Sequence, residues 1–269
     1  MSNIQFGFIG AGNMGSALAT AVSKSVVTEE IMISDKSDIK AKSLARALNC
    51  NSGDNETIAY YSKFIFLGVK PQMLKETLDA ISEVLNSRND RFILVSMAAG
   101  VEISALEEIL GKKYPIIRIM PNTPVSAGKG MILYTYNDEV FMDEISEFCN
   151  ALKYAGKLDK IEEKLIDAAS AVSGCGPAFV YLFAEAMADA GVKCGLPRAK
   201  AVEYAAQTLS GAAELLLTSG KHSGQLKDEV CSPAGSTIAG VHELENSAFR
   251  GAVMNAVVSA YLRTKELGN

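Results

Sequence analysis

Near the start of the chain, Gly10-Ala11-Gly12-Asn13-Met14-Gly15 follows the apolar run Ile4–Ile9 and opens a helical pattern from Asn13. This is G-x-G-x-x-G placed between a strand and a helix. One glycine serves the tight turn, one lets backbone approach a pyrophosphate, and one packs the helix on the strand. The start of that helix offers free N–H donors to phosphate. Asp35 lies 20 residues beyond Gly15, at the end of the second strand run, where a dinucleotide's adenosine ribose would sit. A carboxylate there accepts from a 2′-hydroxyl and repels a 2′-phosphate. Its neighbours Ser34, Lys36 and Ser37 could bind that phosphate if Asp35 turned away, so NADP(H) and NAD(H) both stay open as cofactors.

Other candidates follow the same logic. Val69, Lys70 and Pro71 close the run Phe64–Val69, and Ser96–Gly100, which includes Ala98 and Gly100, follows Phe92–Val95. Open parallel sheets hold their ligands at these carboxyl ends. Asn55, ahead of Thr57–Tyr60, reads as a helix cap or a ribose contact. Met120-Pro121-Asn122-Thr123-Pro124 follows Ile116–Ile119, and its two prolines fix a rigid corner, either a plain turn or a wall beside a nicotinamide.

A second constellation runs from Leu226 to Thr237. Ser232 reads as a helix N-cap with Pro233 at the first position, and the small residues after it leave backbone N–H groups uncovered. Such a terminus binds carboxylates, although an ordinary capped helix has the same pattern. Cys175 between Gly174 and Gly176 resembles a nucleophile elbow, but no histidine lies near it in sequence to act as base. His222 and His242 with five scattered cysteines give no metal-ligand spacing, so no metal is expected. An odd number of cysteines without a C-x-x-C pair suits a reducing cytosol, and a cytoplasmic location is expected.

The elements that must carry these residues divide into two kinds. With 269 residues, 48% hydrophobic and 21% charged, the chain is long enough for one or two globular domains. A net charge of −5 without a Lys/Arg cluster argues against nucleic acid, whose binding needs a concentrated positive surface. No Lys or Arg precedes Lys24, so the apolar start reads as structure rather than a secretory signal. Apolar helical stretches are interrupted by Glu185, Asp189 or Glu214, and no membrane is expected.

Over residues 1–160, the strand runs named above, with Ile31–Ser34 and Met131–Thr135, alternate with helical patterns at Asn13–Lys24, Ile39–Leu48, Met73–Leu85, Ile103–Leu110 and Glu139–Leu152. That alternation predicts an α/β, Rossmann-type doubly wound domain with a parallel sheet. Over residues 161–269 only helical patterns appear, at Glu162–Val172, Ala178–Val192, Arg198–Thr218 and Ser247–Lys265. So small an all-α domain is expected to bury its apolar face against a second copy.

Several stretches taken together resemble the pyrroline-5-carboxylate reductase family. These are Ser232–Gly240 preceded by Leu226-Lys227-Asp228, then Ser96–Gly100, Met120–Pro124 and Ser173–Ala178, in order along essentially the whole chain. The resemblance implies reduction of the cyclic imine 1-pyrroline-5-carboxylate to L-proline by hydride from NADPH or NADH, the last step of proline synthesis. It also implies a homodimer formed by the C-terminal helices, assembled further into a ring of dimers such as a decamer.

By position, the amides of Gly235, Ser236 and Thr237 would hold the substrate carboxylate beside Ser232, and the Thr237 hydroxyl would meet the ring nitrogen. Gly10, Gly12, Asn13, Met14, Ser34, Asn55, Lys70, Pro71, Ala98 and Pro121 would line the dinucleotide. The chain departs from the family in Ala234 and Cys175, usually Gly and Ser, and in lacking an acidic residue near Gly220. A 3-hydroxy-acid dehydrogenase shares the N-terminal pattern, but it carries an interdomain lysine, and none follows Pro177 before Lys193. A non-catalytic redox sensor shares the same pattern and would bind dinucleotide without turnover.

Overall fold

The computed structural model describes residues 4–268. Its sheet contains β1 (Ile4–Ile9), β2 (Ile31–Ser34), β3 (Asn51–Ser52), β4 (Ser62–Leu67), β5 (Ile93–Ser96), β6 (Ile116–Met120), β7 (Gly130–Tyr136) and β8 (Gly156–Lys160). The spatial order is β3-β2-β1-β4-β5-β6-β7-β8. The central strands are nearly continuous apolar runs, as they must be when helices cover both faces. Between β1 and β4, Phe6 stands opposite Phe64 and Phe8 opposite Phe66, with ring centroids 5.2 and 4.5 Å apart. These stacked pairs fix the register that brings Ile9 and Leu67 to the same rim.

The crossovers are α1 (Asn13–Val22), α2 (Asp38–Leu48), α3 (Asn55–Tyr61), α4 (Pro71–Ser87) and α5 (Ile103–Leu110). The expected parallel order holds from β1 to β6, but β7 runs antiparallel to β6. Only residues 121–129 separate these two strands, too few for the dozen or more that a parallel crossover requires. After α6 (Met142–Ala151), β8 pairs parallel with β7 at the sheet's edge. Its sequence, Gly-Lys-Leu-Asp-Lys, carries the charges that protect an edge strand, which hides it from a search for apolar runs.

By its contacts the chain divides into Met1–Cys175 with Ala260–Asn269, and Gly176–Ser259. The expected boundary lies at 160/161; by contacts, α7 (Ile166–Ser173) groups with the first unit. Arg118 on β6, 1% exposed, pairs at 3.1 Å with both Glu163 and Asp167, while Asn122 donates at 2.9 Å to the Ser173 carbonyl. These contacts hold α7 to the first unit at both of its ends.

The remaining helices are α8 (Gly176–Lys193), α9 (Arg198–Ser219), α10 (Ser223–Val230), α11 (Ser236–Asn246) and α12 (Phe249–Gly268). Among the described residues, the buried cluster of the second unit consists of Ala188, Ala201 and Ala205. Large apolar side chains such as Leu182 (68% exposed) and Leu217 (77%) face outward. The run 163–193 is long and apolar enough, by length and composition alone, to cross a membrane. That differs from the expectation, because α7 and α8 follow one another almost without interruption.

Candidate functional site

The glycine loop owes its shape to backbone packing. Gly10 has φ +108°, and a Cβ there would lie 2.6 Å from the Gly68 carbonyl oxygen. A Cβ on Gly15 would lie 2.1 Å from the Gly10 carbonyl oxygen. Gly12 has open space where its Cβ would be, and it is the N-cap of α1 with no side chain bonded to the first-turn amides. The first helical bond there runs from Ser16 N–H to the Gly12 carbonyl. The N–H groups of Asn13, Met14 and Gly15 are left for a ligand, and the helix dipole biases it toward an anion. This cradle fits the pyrophosphate of a dinucleotide.

A cleft of about 770 Å³ lies beside this loop. Of the expected residues, Gly10, Gly12, Ser34, Asp35, Lys36, Asn55, Val69 and Lys70 line it. Asp35 accepts from Ala11 N–H through Oδ2 at 2.8 Å and from Ser37 N–H through Oδ1 at 2.9 Å. It thereby fastens the glycine loop to the end of β2. Ser34 Oγ donates to Asn55 Oδ1 at 2.7 Å. Asn55 is not the helix cap. Asp54 takes that place, accepting from Thr57 N–H at 2.7 Å, and this hydrogen bonding holds its carboxyl below the usual range. Pro71 is the first residue of α4, after Lys70 as N-cap.

Ala98, Gly100 and Pro121 sit at the ends of β5 and β6 but do not line this cleft. Sequence reasoning missed Asp54, Glu56, Met73, Glu76 and Thr77, which do line it. The last three recur at helical spacing on α4, so a helical wheel could have placed them on one face; only the fold reveals that this face meets the cleft.

The second constellation differs from its expected form. α11 begins at Ser236 with Gly235 as N-cap, so Ser232 is not a cap and Pro233 is not in the helix. Instead, Gly235 N–H donates to the Ser232 carbonyl at 3.0 Å, closing a turn with Pro233 and Ala234 at its centre. Ala234 stands at φ +56°, the position where such a turn favours glycine. Ala234 therefore carries a conformational cost. Because the turn occupies the Gly235 N–H, that donor is removed from the expected carboxylate set. Ser236, Thr237 and Ile238 retain uncapped N–H groups, since the first helical bond runs from Ala239 to Gly235. A shallow groove of about 620 Å³ beside this turn is lined by Lys227, Ala234, Gly235 and His242, among others.

Residues 163–267 match the family model described as pyrroline-5-carboxylate reductase dimerisation. Residues 5–100 match one described as NADP oxidoreductase coenzyme F420-dependent. The pyrroline-5-carboxylate reductase of Pisum sativum is 38% identical over 263 residues, spanning 97% of this chain and 95% of that protein. The chain belongs to the pyrroline-5-carboxylate reductase family. Solved reductases agree in fold. The Plasmodium falciparum pyrroline carboxylate reductase with NADP bound superposes with TM-score 0.87 at 36% identity, covering 100% of both chains. That of Coxiella burnetii gives 0.89 at 28%, again covering 100% of both. The glycine loop and the Ser232–Gly240 segment thus sit in a chain similar to these reductases from end to end.

Proposed function

We propose that the chain reduces 1-pyrroline-5-carboxylate to L-proline with NAD(P)H, the final step of proline synthesis. The observation that carries this reading is a chain similar to pyrroline-5-carboxylate reductases over its full length that holds both an open glycine cradle and an uncapped α11 start. The family model over residues 5–100 and the Plasmodium structure support NADP(H) as a cofactor. The bound dinucleotide supplies the hydride.

The protein's own residues bind and orient. The amides of Gly12, Asn13, Met14 and Gly15 hold the pyrophosphate. Ser34, Asp35, Lys36 and Asn55 hold the adenosine ribose. Val69, Lys70 and Pro71 form the rim. Ala98, Gly100 and Pro121, at the ends of β5 and β6, are assigned to the nicotinamide half. The Ser236 and Thr237 amides bind the substrate carboxylate with the dipole of α11 behind them. Gly235 contributes as their N-cap, and Ser232 by closing the turn that presents them.

A cyclic imine is basic enough to carry its own proton near neutrality, so the carbon that accepts hydride arrives activated. No dedicated acid is required, which suits a chain with only two histidines. The Thr237 hydroxyl orients the ring nitrogen and replaces a water that would otherwise solvate it. Holding imine carbon and hydride donor at about 3–3.5 Å supplies the catalytic gain through lost reactant freedom.

The dimerisation model over residues 163–267 and the exposed apolar helices support a homodimer. We assign its further assembly to a ring of dimers such as a decamer, in the cytoplasm. The test of function is the loss of nicotinamide absorbance when purified protein meets pyrroline-5-carboxylate, with proline identified as product. Dinucleotide binding with no proline formed would refute the enzymatic reading.

A further inference from the structure

We infer that the ribose end of the cleft selects against a 2′-phosphate, so that the chain uses NADH in preference to NADPH, with Asp35 as the residue that sets the choice. This rests on the dinucleotide reading above and narrows it.

Two backbone amides from separate segments, Ala11 and Ser37, hold the two oxygens of the Asp35 carboxylate. Turning it away would break both bonds, so the acid stays at the end of β2 where the adenosine ribose lies. Each carboxylate oxygen keeps a further lone pair, which can accept from a 2′-hydroxyl. The same oxygens repel a phosphate placed within hydrogen-bond distance.

Two of the groups that would compensate are already engaged. Ser34, 1% exposed, gives its hydroxyl proton to Asn55, and the Ser37 N–H is taken by Asp35. Lys36, an exposed single cation without the planar guanidinium fork that suits phosphate, remains together with the Ser37 hydroxyl, a neutral group that offsets no charge repulsion. Across the whole cleft, the carboxylates of Asp35, Asp54, Glu56 and Glu76 stand against Lys36 and Lys70. A family whose relatives take NADP does not fix this choice, because it is made by the few side chains at the end of β2.

The test is calorimetric titration of the full-length protein with ADP and with 2′,5′-ADP, alongside kcat/KM for NADH and NADPH. The expected result is ADP binding at least about tenfold more tightly, the scale of one added charge repulsion near a protein surface, with kcat/KM favouring NADH to a similar degree. Asp35→Asn should lower the ADP to 2′,5′-ADP affinity ratio by about tenfold. The ratio is the readout because loss of the Ala11 bond weakens both ligands alike, and the wild-type comparison stands even if the variant does not fold. Equal or tighter binding of 2′,5′-ADP by the wild type overturns the inference and leaves the proposed function intact. Failure of both nucleotides and both cofactors to bind overturns the two together.

Discussion

Thr237 and Ala234 sit three residues apart and test opposite properties of one segment. Thr237 lies in the first turn of α11, where no side chain caps the helix, and its hydroxyl is proposed to meet the ring nitrogen. Thr237→Ala should lower turnover by about 10²-fold, the scale of one lost hydrogen-bonding group in a site. An unchanged rate in a steady-state assay would remove Thr237 from the mechanism. Ala234 at φ +56° pays for its left-handed backbone, about 1–2 kcal/mol for an L-residue. Glycine relieves that strain but adds about 0.4–1 kcal/mol of unfolded-state entropy. Ala234→Gly should therefore leave the protein equally stable or up to about 1.6 kcal/mol more stable in chemical denaturation. A clear loss of stability would mean that the methyl group makes packing contacts. The cofactor choice assigned to Asp35 belongs to this scale as well, since it depends on one carboxylate held by two amides.

At the scale of elements, α6 shows how a helix is anchored by charge. Glu144, buried in its first turn, accepts from Phe141 N–H at 2.8 Å and from Arg91 through both oxygens, at 2.7 and 2.9 Å. Burial pushes its carboxyl up, but the Arg91 and Phe141 hydrogen bonds outweigh that and hold it below its ordinary 4.5. A carboxyl lowered on folding contributes stability above its unfolded value, and that stability is lost as pH falls through the folded value. Glu144→Gln should cost about 1.5–3 kcal/mol at neutral pH, as for a hydrogen bond to a charged group. The difference from wild type should shrink below pH 4.5; urea titrations at neutral and acid pH that give a constant difference would contradict this. The same scale explains what the sequence revealed. β1 and β2 appear with the expected bounds because each is an apolar run, and α5 because its apolar residues recur at helical spacing up to Gly111. The glycine loop was legible as well, since Gly10 and Gly15 stand where close backbone approach leaves no room for a Cβ. The start of α11 was not, because Ser-Pro suits both a helix N-terminus and the first half of a turn. The turn prevails where Ala234 takes a positive φ and Gly235 N–H closes on Ser232. Of the two readings open for Asn55, the cap fails because Asp54 beside it is an equally good cap and reaches Thr57 N–H.

The exposed apolar surface of the helical unit has its consequence for the molecule as a whole. A cluster of three alanines is a small core for the 84 residues Gly176–Ser259, whereas Leu182, Leu217 and Met254 are each at least two-thirds exposed. Such a surface is costly in water at about 25 cal/mol per Å² of apolar area. A stable pairing of two copies buries about 1,200–2,000 Å² in total, and larger obligate interfaces are more apolar still. The chain should therefore sediment as a dimer or a multiple of one at micromolar concentration, with a melting temperature that rises with protein concentration, because association stabilises only the folded form. Leu182→Asp places a charge on the exposed apolar face of α8 and should shift the population toward monomer while leaving the far-ultraviolet dichroism of the helices in place. A wild-type protein that remains monomeric at tens of micromolar, with a melting temperature independent of concentration, would mean that these helices keep their apolar face in water without a partner.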